Sequence, residues 1–420
     1  MVGLWLLVPE HLRLGTWDLL CHWSNRPGRE VEPRLALQLV NESALCVTGV
    51  RQARSLSQKG FELANGLPFI ATDQAIHKLL NNHTVKQAEM LQVQLGVLRR
   101  ARGHFSGKLL AIDPHRVRSF TKRITVRYRS DNESRPFKTS QTFFCLDADT
   151  KQPVCFTTNS AAVSVSRATP PLLRLSEAIL SSKSNQTLIV ADTEHYTSEL
   201  VDYVHAQTPF DLLVPMPNTK VHQRKLAGIH PEQFAPRWAG LATATRAYQL
   251  EDSTTGPHWQ FIQRSGERPG DYEFKAFLST SRRNEIDALT RAFPKRWHVE
   301  EFFNANQALG WNRAGTLNLN IRYGNMTMAL LAQTLIHEMR QRLGEPYCSW
   351  DAKHLAKDVF NGFDGDIRVY DDTIVVTFYN VPNTQQLRTH YENLPEKLKE
   401  ENVNPHIPWL YGFKLDFRFK

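Results

Sequence analysis

Apolar residues return at every third or fourth position over 34–47, 74–80 and 85–98, and this spacing predicts a helical region from residue 1 to about 103. Thr84-x-x-Gln87 has the form of a capping box and marks the expected start of the last of these helices. From Lys108 the pattern changes to short runs with strand character. G-K-L-L-A-I-D ends in Asp113, a second run spans Lys138 to Asp147, and a third starts at Pro153; together they predict an antiparallel meander. A helix from about Pro170, the run T-L-I-V-A-D ending in Asp192, a helix over 198–207 and a strand from Phe210 complete the alternation.

Residues 218–281 are richer in Pro and Gly and hold three strand-like runs, at 245–250, 259–264 and 272–278, which predict a small β insertion. Beyond it, 321–343 reads as a long apolar-periodic helix, a hairpin turns at Asp371-Asp372, 387–398 is polar and helical, and the chain closes on a strand. The fold class expected is α/β, of the mixed α+β kind.

Two runs are alike. L-L-A-I-D and L-I-V-A-D each close four apolar residues with an aspartate, the pattern of a buried strand whose end emerges into a cleft. If the strands are neighbours in an open sheet, Asp113 and Asp192 converge where such sheets bind ligands. Each aspartate taken alone reads more readily as a turn residue that ends a strand; as a matched pair the two readings stand level. A third acid stands in 291–307, R-A-F-P-K-R-W-H-V-E-E-F-F-N-A-N-Q, where Arg296, Glu300, Phe303 and Gln307 fall at helical spacing. On the helix alone, Glu300 reads as the i,i+4 partner of Arg296. Set beside two strand-end aspartates, it becomes a candidate third carboxylate, with Glu301 and Glu194 as its nearest alternatives.

Composition changes the picture little: 420 residues, 41% hydrophobic and 22% charged, describe a folded chain with room for two to four domains. No stretch approaches the roughly 18 apolar residues of a membrane span, and the opening M-V-G-L-W-L-L-V lacks a basic lead. A soluble protein that is not exported is expected. Cys21, Cys46, Cys145, Cys155 and Cys348 form no C-x-x-C pair, and neither they nor His22 show zinc-ligand spacing, which fits a reduced compartment. Charge is more informative. The net charge is +9, and between Arg99 and Arg129 ten basic residues (Arg99, Arg100, Arg102, Lys108, Arg116, Arg118, Lys122, Arg123, Arg127, Arg129) surround one acid, Asp113. Such a field is the electrostatic footprint of a phosphate backbone contact, or else a solvated basic face. Three carboxylates in a basic field suit Mg2+, a hard ion that takes oxygen ligands and substrate phosphates.

These residues resemble the DDE transposases of bacterial insertion sequences. That family's third-acid signature, Tyr-x-x-Arg-x-x-x-Glu-x-x-x-x-x-x-Lys, is met here by Phe293, Arg296, Glu300 and Gln307; Asp113 follows a strand as the first acid does, and D-T-E-H-Y from Asp192 is similar to the second-acid motif. Phe293 lacks the tyrosine hydroxyl and Gln307 the lysine charge. The resemblance covers about 108–343 and implies an RNase H-like core with a β insertion. The domains expected are then an N-terminal helical domain over 1–103 that binds DNA through its basic end, a catalytic domain over 104–343 and a C-terminal α/β region over 344–420. It further implies Mg2+, with Mn2+ able to substitute, held by Asp113, Asp192 and Glu300, and cleavage of double-stranded DNA at element ends followed by strand transfer. Arg296, Gln307, Arg116, Arg118, Lys122, Arg123 and Trp297 are the expected DNA contacts, with Trp297 and Trp311 as stacking candidates, although a tryptophan in such a place is more often part of the core. A homodimer assembled on DNA in a bacterial cytoplasm, at the nucleoid, completes that expectation. A nuclease of the same fold that stops after hydrolysis, and an inactive DNA-binding descendant, remain the alternatives.

Overall fold

The computed structural model describes residues 1–24, 31–47, 59–119, 127–128, 135–160, 162–184, 186–311, 316 and 318–420. The chain divides into two compact units, Gly96–Phe302 and Met1–Leu95 with Phe303–Lys420. This division departs from the boundaries expected at 103 and 343, since the long helix Leu319–Leu343 belongs with the N-terminal helices.

The unit Gly96–Phe302 is built on one sheet, ten-stranded among the described residues. Its first strands are β1 (Leu109–Arg118), β2 (Arg127–Tyr128), β3 (Phe137–Asp147) and β4 (Gln152–Ser160). β3 pairs antiparallel with β1 on one side; β4 and, over two residues, β2 also pair with it. The helix Val165–Leu180, packed on β3 and β4, leads to β5 (Thr187–Val190), and the helix Ser198–Gln207 leads to β6 (Phe210–Pro215). β5 pairs parallel with β1 and with β6. The order β4-β3-β1-β5-β6, an antiparallel meander followed by two parallel strands, makes this a mixed sheet, as the expected α+β class requires. Its burial explains the run-like sequence: all four residues of β5 and nine consecutive residues of β3 are inaccessible, so neither strand alternates.

The insertion is present with a strand more than expected: β7 (Ala235–Trp238), β8 (Leu241–Tyr248), β9 (His258–Ser265) and β10 (Glu273–Ser279). It is not a separate sheet. β10 pairs antiparallel with β6, so the order continues β6-β10-β9-β8-β7 and the core sheet is extended. A second fixing point is Asp202 on the Ser198–Gln207 helix, which accepts hydrogen bonds from Ser253, Thr254 and Thr255 in the β8–β9 connection.

The other unit is mainly helical. Leu319–Leu343 is buried along most of its length and packs against Val31–Ala44, Asp73–Asn82 and Val8–Leu14. The expected capping box is formed: Thr84 N–H donates to Gln87 Oε1 at 2.8 Å and Gln87 N–H to Thr84 Oγ1 at 3.3 Å. A hairpin, β11 (Gly365–Tyr370) and β12 (Thr373–Phe378), turns at Asp371, and β13 (Lys414–Phe419) joins β12 in parallel. The polar helix expected at 387–398 is two helices, Thr384–Tyr391 and Leu394–Glu400, divided at Asn393 by a left-handed backbone. Trp311 is 1% exposed and belongs to this core, so its stacking role is set aside.

Candidate carboxylate site at the end of the parallel strands

β1 and β5 are paired from Leu109↔Leu188 to Ala111↔Val190, and two more steps in this register set Asp113 against Asp192. The two L-x-x-x-D runs therefore bring their acids to the same level of the sheet. The strands end differently. β5 stops at Val190, whereas β1 does not end at Asp113 as expected but continues to Arg118, because β3 goes on pairing with it as far as Arg118↔Thr139. This also accommodates Pro114. The Leu109 carbonyl accepts from Ala148 on the β3 side, and by two-residue alternation the Pro114 nitrogen faces the other edge, past the end of β5, where no ladder bond is required.

Residues 291–307 do not form the single regular helix expected. The backbone is a π-helix over Asp287–Ala292, a 3-10 helix over Phe293–Trp297, an α-helix over His298–Asn306 and a 3-10 turn over Gln307–Leu309. Pro294, which lacks an N–H, stands where the first change of winding occurs. The i,i+4 relation of Arg296 and Glu300 nevertheless holds, at 3.0 Å. Three contacts tie this segment to the β3–β4 turn: His298 Nδ1 with the Ala148 carbonyl at 2.7 Å, Lys295 with Asp149 at 2.6 Å, and Lys151 with Glu301 at 3.0 Å. Phe302 packs near Phe144 of β3.

Arg296 is the centre of the arrangement. Its Nη1 lies 3.4 Å from Asp113 Oδ1, its Nη2 donates to Glu300 Oε1, and its guanidinium lies over the Trp297 ring, 4.7 Å from the centroid. Trp297 itself is exposed, so it is free of the core. Burial pushes the Asp113 carboxyl up to about 8, the negative charge of Asp192 adds to this, Arg296 opposes it, and Glu300 and Glu194 add smaller contributions. Asp192 goes the other way: burial works to raise it, but its hydrogen bond with His195 and the charge of Arg296 hold it below the ordinary carboxylate value.

The donor set is all carboxylate oxygen with an excess of negative charge, the chemistry that a hard divalent cation fits. Among the described residues, no three acids, cysteines or histidines converge as a closed metal-binding group; the Arg296 guanidinium instead bonds both Asp113 and Glu300. Of the alternatives, Glu301 is turned to Lys151, and Glu194 forms a two-pronged ion pair with Arg116.

The basic residues are redistributed. Arg116 is bound to Glu194 and is no bare cation. Arg118 is exposed, with its guanidinium 4.5 Å from the Phe137 ring centroid. Arg99 is fully buried, donating to the Pro153 carbonyl and Gln152, and Arg100 donates to the Ile179 carbonyl at 2.7 Å. These two hold the fold rather than a partner. Lys122, Arg123 and Arg129 lie outside the described residues. Gln307 falls in the mainly helical unit. Phe293 packs edge-on to Phe277, ring centroids 4.8 Å apart, and with Thr193, Pro215, Phe274, Leu289 and others lines a cleft of about 370 Å3.

His195 was not singled out in the sequence. Its only signal was its place in D-T-E-H, three residues after Asp192, the spacing of a side chain returning on one turn.

No protein-family model matches the chain, and no curated protein matches it in sequence. Among solved structures, it is similar to the piggyBac transposase determined by cryo-EM as a synaptic complex with hairpin DNA. The identity is 12%, the TM-score 0.41, and the match covers 95% of this chain and 92% of that one. Among the described residues, no helix is long and apolar enough to cross a membrane.

Proposed function

We propose that this chain is a transposase of the DDE kind, cleaving double-stranded DNA at element ends and joining the freed end to target DNA. The observation that carries the reading is the register of β1 and β5, which levels Asp113 with Asp192 beside an Arg296 bonded to Glu300. Asp113, Asp192 and Glu300 would hold Mg2+ or Mn2+. When bound there, the ion supplies activation of the attacking oxygen and stabilisation of the leaving one. Asp113 must give up its proton to serve, and burial with like charge makes that proton easy to retain until a cation arrives. Arg296 offsets charge on two of the acids, and the exposed Trp297 and Arg118 offer an aromatic face and a cation for DNA. A DNA-bound homodimer, a bacterial insertion sequence as source and a cytoplasmic, nucleoid-associated setting belong to the same proposal.

The test is incubation of purified protein with plasmid carrying the flanking element ends, with Mg2+ or Mn2+. Joined products are expected. Cleavage without joining would make the protein a nuclease, and EDTA-resistant DNA binding with no cleavage would make it an inactive descendant.

A further inference from the structure

The turn that follows β5 is built around Asp192. Asp192 caps the 3-10 turn Thr193–His195: its Oδ1 accepts the Glu194 backbone N–H at 3.1 Å, and His195 closes the turn with its own N–H on the Asp192 carbonyl at 3.1 Å. The His195 ring folds back to place Nδ1 2.7 Å from that same Oδ1, and its side chain is 1% exposed. An ionised carboxylate has only lone pairs to offer, so the shared proton sits on Nδ1. Both donors grip one oxygen. Oδ2 has no hydrogen bond among the described residues.

We infer that His195 is a positioning residue for Asp192: buried behind it, the imidazole fixes the carboxylate by Oδ1 and leaves Oδ2 for a divalent cation. This rests on the reading of Asp192 as a metal-binding carboxylate. The general reason is that a ligand oriented by a second hydrogen-bonded group loses little freedom when it binds, and removing such support typically weakens metal binding 10- to 100-fold. A histidine that merely filled space in the core would be replaceable by any side chain of its volume. A histidine that orients Asp192 is replaceable only by a donor at the same place, and the Asn side-chain amide is the nearest substitute for Nδ1–H.

The experiment uses the full chain without DNA, titrated with Mn2+ and followed by electron paramagnetic resonance, with thermal unfolding recorded for each variant. His195→Phe is expected to weaken Mn2+ binding about tenfold, at the low end of that range, and His195→Asn to recover most of the loss. In cleavage assays His195→Phe should raise the Mn2+ concentration for half-maximal rate by a similar factor while the rate at saturating Mn2+ falls less. Wild-type Mn2+ affinity in a folded His195→Phe protein overturns the inference. If that variant does not fold, His195→Met, flexible and without a donor, takes its place with the same expectation. Asp192→Asn separates the two readings: if it leaves Mn2+ binding unchanged, the carboxylate site itself is wrong, whereas loss there with none in His195→Phe removes only the role of His195.

Discussion

Asp113 is the residue where fold and chemistry pull hardest against each other. With a folded pKa of about 8 against an ordinary value near 4, the folded state holds a proton between those limits that the unfolded chain releases. Stability therefore falls as pH rises from about 4 to about 8, on the order of 1 kcal/mol per pH unit at most, and no further above that. Asn resembles the protonated acid and does not titrate. Asp113→Asn, studied with EDTA present, should accordingly raise the melting temperature, by a margin that widens from pH 4 to pH 8 and then stays level. The same substitution should abolish cleavage while DNA binding, read by gel shift, persists. A margin independent of pH would show that Asp113 is not under this strain. The spacing of Arg296 and Glu300 and the two closing aspartates were legible in the sequence because each follows from a single period. The Arg116–Glu194 pair was not, since its members lie 78 positions apart and only the sheet unites them.

At the scale of elements, burial decides what can be changed. β5 has four residues, all inaccessible, and it aligns Asp192 with Asp113. Ile189→Ala, at a position with no exposure, should cost about 2–5 kcal/mol, measurable by denaturant unfolding. Gly96 shows the opposite constraint: a Cβ there would come within 2.7 Å of the Ile179 side chain on the Val165–Leu180 helix. Gly96→Val should destabilise by roughly 1–3 kcal/mol, and Gly96→Val with Ile179→Ala should recover part of it. Strand and helix positions were largely legible here, down to the Ser198–Gln207 helix. The winding changes at 287–309 were not, because a spacing of three and four residues is shared by helices of slightly different pitch, and only Pro294 hinted at a break.

At the scale of the whole molecule, the charge of +9 overstates the surface available to DNA. Arg99 and Arg100 serve carbonyls inside the fold. Arg100→Ala should lower the melting temperature and leave the salt dependence of DNA binding as it was, whereas Arg118→Ala should reduce the slope of log affinity against log salt by about one. A linear count of basic residues cannot tell these apart; the distinction appears only when burial is known. Nor could it show that the insertion joins the core sheet, since β6 and β10 are paired across some sixty intervening residues. That pairing has an architectural consequence. β6 ends at Pro215 and β10 runs back beside it from Phe277, with Met216 N–H bonded to the Ala276 carbonyl, so the insertion starts and closes at one point of the sheet it extends. A short turn joining Met216 to Ala276 would close β6 and β10 into an uninterrupted hairpin, and the cost would fall on β10, newly left as an open edge, and on Asp202, deprived of its β8–β9 partners.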